Sequence, residues 1–139
     1  MNGNKVLLGT NGAVWVNGEK LANCKSFEAK VSADFEDIAM AGSYGTDAKF
    51  KGYTIEGTMT LHKTDSKIAK LVSEGMTTGK MPEIVIVSGI DDPDADGIEK
   101  IELDGVYLTE LTLSKWEVGA VGEEEVPFRA KSYKYLEQI

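Results

Sequence analysis

The chain has 139 residues, 42% of them hydrophobic, and a net charge of −8 from 23 acidic and 15 basic residues. That is the size of one domain with an ordinary core, which excludes a globally disordered chain. The acidic balance argues against a nucleic-acid binder. It suits a surface past which nucleic acid must slide, although acidic charge also serves solubility alone.

Cys24 is the only cysteine, so no intrachain disulfide can form and a reducing compartment is favoured. No apolar run is long enough to span a bilayer, and no secretory core follows Met1, so the chain is expected to be cytosolic when made and to have no membrane partner.

Residues 1–12 are rich in Asn and Gly and read as a flexible arm around Val6-Leu7-Leu8. Ala13-Val14-Trp15-Val16 reads as a short strand. Asn17-Gly18 then signals a tight hairpin, because both central positions of a type I′ turn need positive φ. The return strand starts at Glu19 and is expected to run on into a longer one. There Phe27, Ala29, Val31, Ala33 and Phe35 alternate with Glu28, Lys30, Ser32, Asp34 and Glu36. A second long strand alternates likewise, with Tyr53, Ile55, Gly57, Met59 and Leu61 set against Thr54, Glu56, Thr58, Thr60 and His62. A period of two gives each strand one buried and one wet face.

Residues 37–52 join these strands. Hairpin connections usually take two to five residues, so this reads as a long arm that carries Ile38, Met40, Tyr44 and Phe50, with Gly42 and Gly45 letting it bend. Such an arm packs on its own domain or reaches a neighbour. The reading adopted is that it reaches a neighbour, with Ile38, Met40, Gly42, Tyr44, Gly45 and Phe50 at the subunit or ring interface.

From Thr64 the period changes. Ile68, Leu71 and Val72 fall at helical spacing, Thr64 or Asp65 can cap the first turn, and Gly75 can end the helix. One helix with so narrow an apolar stripe is expected to plug the open end or one face of a sheet. Glu83–Ile90 is apolar on both faces and reads as a central strand. An acidic turn follows at Asp91–Gly97, then a strand at Ile98–Leu103. Asp104-Gly105 marks a tight turn or a bulge within a longer strand. The β pattern is expected to carry on from Val106 to Val118, with Leu111 and Leu113 on one face and Thr112, Ser114 and Trp116 on the other. After Gly119–Gly122, a last strand alternates through Val126, Phe128 and Ala130. Pro127 inside it suggests an edge, or a place where no ladder donor is needed. The sum is seven or eight strands joined by short turns and one helix: a mainly β, antiparallel barrel or sandwich in a single domain, 1–139.

Catalytic chemistry finds little footing. His62 is the only histidine and sits on a polar strand face, which disfavours a nucleophilic triad. One His and one Cys cannot supply the usual zinc ligands. Asp92, Asp94, Asp96 and Gly97 imitate the opening of an EF-hand loop. Leu103, however, stands where the bidentate Glu belongs, Glu102 is one place off, and no helices flank the loop, so an acidic turn is the simpler reading. Gly42-Ser43-Tyr44-Gly45 lacks the ending of a phosphate loop. No enzyme activity, cofactor or metal is expected.

The order of features, carried by Gly12–Gly18, Met40–Gly45, Lys51–Thr60 and Glu125–Phe128, resembles the tail tube proteins of contractile phages. Within them it resembles the family of the tube protein of a defective Bacillus prophage and of related phage-tail-like bacteriocins. The resemblance covers the whole chain and implies the β-barrel or sandwich fold with one helix that is shared with the type VI secretion tube. It implies hexameric rings whose long strands join into one inner barrel and which stack into a hollow tube. Tail sheath and tail initiator or baseplate proteins would be partners, DNA would only pass through the lumen, and the particle would be put together in the bacterial host cytoplasm. The competing reading is a monomeric β-barrel that binds a small ligand.

Overall fold

A computed structural model describes residues 3, 7–64, 67–91 and 97–138. Eight strands and one helix follow in order: β1 (Gly12–Val16), β2 (Glu19–Lys20), β3 (Cys24–Ala39), β4 (Thr46–His62), α1 (Lys67–Thr78), β5 (Ile84–Asp91), β6 (Ile98–Leu108), β7 (Glu123–Ala130) and β8 (Ser132–Glu137). All pairings are antiparallel. The strand order is β2-β1-β5-β6-β7-β4-β3, with β8 also on β6. The fold class is therefore the mainly β, antiparallel one expected.

The path folds into two layers at β6. That strand pairs β5 and β8 along Ile98–Asp104, then β7 at Tyr107 and Leu108. The register against β5 shifts between Ile84 and Ile86, opposite Gly105 at φ +62°, so the Asp104-Gly105 signal is a bulge within one long strand. The core lies between the layers. Val14, Val16, Ile84, Ile86 and Leu103 face Ile55, Met59, Leu61, Val126 and Phe128, all buried. The Phe27 ring stacks on Phe128 with centroids 5.7 Å apart.

The Asn17-Gly18 turn has φ of 51° and 84°, the double positive φ of a type I′ hairpin, and β1 pairs β2 through Val16 and Glu19. The return strand is shorter than its alternation implied. β2 ends at Lys20, the Leu21 amide donates to the Val14 carbonyl at 2.9 Å, and Leu21 turns into the core. The chain then crosses to the other layer and starts β3 at Cys24. β5 is central as expected, flanked by β1 and β6.

The helix buries Ile68 and Val72, and Ile68 and Leu71 share a groove with Val16 and Leu21, so it closes one end of the sandwich. It runs past Gly75 to Thr78, and Gly79 at φ +81° takes the left-handed position, its amide donating to the Gly75 carbonyl at 2.9 Å. Gly75 serves close approach instead: a Cβ there would lie 2.8 Å from Met81 Sδ and 2.9 Å from the Lys80 carbonyl oxygen. Thr64 is described and its hydroxyl accepts from the Asn23 amide at 3.4 Å; the proposed cap at Asp65 lies outside the described residues. So do Asp92–Asp96 of the acidic turn and most of residues 1–6 of the arm. Among the rest of the arm, Gly9–Asn11 forms a 3-10 turn leading into β1.

Two further boundaries differ from expectation. The arm at 37–52 is mostly strand, because β3 continues to Ala39 and β4 resumes at Thr46. Conversely, β6 stops at Leu108 and residues 109–122 form no strand, although their sequence alternates like one.

Candidate functional site: the distal ribbon and the 109–122 segment

β3 and β4 are 16 and 17 residues long. Their bases, around Phe27, Ala29, Ile55, Met59 and Leu61, pack in the sandwich. Their distal halves leave it. Residues 31–51 are exposed throughout, so a two-stranded ribbon projects from the domain with both faces wet.

The pairing is regular from Ser26↔Thr60 to Asp34↔Gly52, then shifts to Phe35↔Phe50. Lys51 is the extra residue of a bulge. The bulge changes the parity of β4, so Phe50 and Ala48 share a face with Phe35, whereas Tyr53 and Ile55 share it closer in. Phe35 and Phe50 meet edge to face at 5.7 Å. Tyr53 meets Tyr133 of β8, and Tyr133 meets Tyr135, each at 6.0 Å. An apolar line of Val31, Tyr53, Phe35 and Phe50 thus runs from the core edge outward, every member exposed.

The six candidate residues fall into three places. Phe50 lies on that apolar face. Ile38, paired with Asp47, lies on the opposite face of the ribbon and is exposed. Met40, Gly42, Tyr44 and Gly45 make the tip. There the Ser43 amide donates to the Met40 carbonyl at 3.2 Å, Gly42 has φ +80°, and the Gly45 amide donates to Ser43 Oγ at 3.1 Å. Tyr44 is fully exposed and Met40 half so. The fold brings Phe50 to Phe35 and groups the tip residues, and it does not put all six on one surface.

The outer face of the β3–β4–β7 layer is polar. Lys30, Glu56 and Arg129 stand directly opposite one another on three successive strands, alternating in sign across the sheet. They line an open groove of about 460 Å³ with Glu28, Thr58, Glu110 and Pro127. At its far end, Lys25 Nζ lies 2.6 Å from Glu123 Oε1, and this hydrogen bond holds the exposed Glu123 carboxyl below its ordinary value. His62 is exposed at the end of β4, its backbone bonded to Asn23. Cys24 is half-buried, and burial pushes its thiol up, away from nucleophilic character.

A second apolar surface was not singled out from the sequence. In residues 109–122, Leu113, Trp116, Val118 and Val121 are 79–90% exposed. The segment turns at Glu117–Ala120 about Gly119 and is pinned where the Lys63 amide donates to the Gly122 carbonyl at 2.8 Å. Its signal in the sequence was strand-like alternation with Trp116 on one face; its exposure needed the fold. Beneath it, Glu124 is 5% exposed, on the core-facing side of β7. Lys63 Nζ lies 3.3 Å from its Oε2, and among the described residues its Oε1 has no hydrogen-bond partner. Lys63→Ala would strand this carboxylate and should lower stability by about 1–3 kcal/mol, whereas Glu124→Met, which removes the charge, should be close to neutral. Urea unfolding of both variants reads the difference.

Among the described residues, no cluster of His, Cys, Asp and Glu could hold a metal ion, and no helix is long and apolar enough to cross a membrane. Phe128, Met59, Ile86, Leu103 and Val72 are the largest fully buried side chains of the core, and beside them an open cavity of about 610 Å³ is lined by Val14, Leu21, Phe27 and Ile90.

Comparison with known proteins supplies a family. The chain is 28% identical over 133 residues to the phage-like element PBSX protein XkdM of Bacillus subtilis (strain 168), covering 94% of this chain and 90% of that one. It is 27% identical to protein YqbM of the same organism, over the same shares. In fold it is similar to a chain of the PVC sheath–tube complex of an extracellular contractile injection system in its extended state. The TM-score is 0.76 at 10% identity, over 94% of this chain and 90% of that chain. It is also similar to a chain of the tube-terminating cap of the anti-feeding prophage, with a TM-score of 0.78 at 7% identity, over 96% and 92%. A family model described as phage tail tube protein matches residues 1–137. The chain belongs to the phage tail tube protein family, whose members are structural proteins and not enzymes.

Proposed function

We propose that this subunit closes into hexameric rings that stack into the hollow inner tube of a phage tail or a phage-tail-like particle. Its partners are further copies of itself, a contractile sheath around the tube, and a baseplate or initiator complex that starts assembly in the host cytoplasm. DNA passes through the lumen without specific binding.

The observation that carries this reading is the distal half of the β3–β4 ribbon. Val31, Phe35, Phe50, Tyr53, Met40 and Tyr44 are exposed together on a projecting element. An exposed apolar surface on a subunit marks an interface. The outer edge of β3 has no ladder partner among the described residues. Such an edge is a hazard in a monomer and a joint in a closed ring. The family and the sheath–tube complex among the similar structures support the same assembly. The polar outer face, where Glu28, Glu56 and Glu125 stand among Lys30 and Arg129, suits a wet lumen.

End-on class averages of assembled particles test the stoichiometry. Six-fold rings are expected, and a different rotational order would overturn the hexamer.

A further inference from the structure

Residues 109–122 present a conflict between sequence and structure. They alternate like a strand and directly continue β6, yet they form no ladder. A proline lies opposite them. β6 pairs β7 as Tyr107↔Arg129 and Leu108↔Phe128, and the same register carried one step further sets Thr109 against Pro127. The Thr109 amide does donate to the Pro127 carbonyl, at 3.2 Å. In an antiparallel strand a residue's N–H and C=O point to the same side. The Pro127 nitrogen therefore also faces β6, and it carries no hydrogen to return the bond. On its other side Pro127 sits opposite Thr58 within an unbroken β4–β7 ladder, so nothing is lost there. The proline interrupts only the ladder that would have zipped residues 109–113 onto residues 123–127.

The same layer has a second unused edge. In the order β6-β7-β4-β3, β3 is terminal, and all its ladder partners lie in β4. The apolar residues Val31, Ala33 and Phe35 stand along it, exposed. Among the described residues, one edge thus carries a strand-like segment in no ladder, with Leu113, Trp116, Val118 and Val121 exposed, and the opposite edge carries a long strand that pairs only on its β4 side. Two complementary edges on opposite sides of one sheet join copies head to tail, which closes to a ring when the rotation permits.

Building on the tube reading above, we propose that Pro127 keeps residues 109–122 out of their own sheet, and that the freed segment adds as a strand to the outer edge of β3 in a second copy of this chain. Trp116 and its apolar neighbours then cover the Val31–Phe35 face of that copy. Leaving its resting place also opens the half-satisfied Glu124 carboxylate to water, which favours the move.

Hydrogen exchange and seeded growth, run on the full chain, test this. Pro127→Val restores the missing donor. In the free subunit, protection of the Thr109 and Leu111 amides should rise by about tenfold, the worth of roughly one added bond. Tube growth should slow by a similar factor of about ten, because only the unzipped fraction is competent. Trp116→Ser with Val118→Ser, at largely exposed positions, keeps the folding question separate: melting should not move, while growth should stop. In wild-type tubes, residues 111–118 and 26–36 should gain protection together. Unchanged exchange at 109–113 in Pro127→Val, or growth of either variant at the wild-type rate, would overturn the proposal and leave the tube reading standing. A wild type that grows no tubes from seeds sinks the tube reading and the docking step with it, and the exchange comparison still decides what Pro127 does in the free subunit.

Discussion

A Met40→Ala, Tyr44→Ala double variant should melt where the wild type melts and form no tubes. Tyr44 is fully exposed and Met40 half exposed at the tip of the ribbon, and neither belongs to the buried core. The turn that holds them rests on backbone bonds, the left-handed Gly42 and the Ser43 hydroxyl, none of which the variant touches. Truncating an aromatic anchor at an interface costs about 2–4 kcal/mol. In a polymer every subunit carries that loss, so the concentration needed for assembly rises roughly thirty- to several-hundred-fold. Electron microscopy of the variant beside the wild type, with thermal melts of both, gives the answer. Normal tubes would remove Met40 and Tyr44 from the interface.

Among the glycines whose surroundings are described, Gly57→Ala should be the most destabilising. Gly57 pairs with Ala29 on one side and Phe128 on the other. A Cβ there would strike the Phe128 ring and lie 2.5 Å from the Glu28 carbonyl oxygen. The ring cannot swing away, because it is 1% exposed and stacked on Phe27, and the carbonyl belongs to the neighbouring backbone. Overpacking of this kind costs about 1–3 kcal/mol, and a clash with backbone belongs at the upper end. Against a total stability of about 5–15 kcal/mol, that is a large share. Urea unfolding should show the midpoint fall with little change in slope. Gly18→Ala and Gly119→Ala, whose Cβ atoms would meet nothing, separate the strain of positive φ from this steric effect.

The sequence carried much of this fold because several signals had one physical meaning each. Asn17-Gly18 demanded positive φ twice and has it. Ile84–Ile90, apolar on both faces, had to lie inside a sheet. Phe128, Val126 and Ala130 alternated with polar residues and are the buried face of β7. The length of the ribbon was hidden by its bulge. Once Lys51 is inserted, the apolar positions of β4 pass from odd to even numbers, and a strict period of two seems to stop at Tyr53. What read as a loop of residues 37–52 was strand with its parity changed. The error at 109–118 ran the other way, because the local pattern was strand and the missing donor sat in another segment. Pro127 suggests an edge, or a place needing no ladder donor, and the second describes its relation to β4; that its nitrogen faces the continuation of β6 is visible only from the pairing register. At Gly75, a cap and a close approach look alike in sequence, and only the path of Lys80 and Met81 separates them.

The candidate site was legible in kind and less so in extent. Alternation, and a connection too long for a hairpin, pointed to Met40, Tyr44 and Phe50, and these are exposed on a projecting element. Phe35, Val31 and Tyr53 were assigned to a buried face. They occupy that face of the strand, yet beyond Ala29 and Ile55 no second layer covers it. The sequence pattern records which side of a strand is apolar. Whether the chain itself or another copy covers that side depends on where the domain ends.

Negative-stain electron microscopy of the concentrated wild-type protein, with light scattering on the same sample and with tail initiator complex added in parallel, tests the central claim most directly. Hollow tubes of uniform width, appearing at high concentration or on addition of the initiator, are the expected result. A strict monomer that stays inert with the initiator would contradict it.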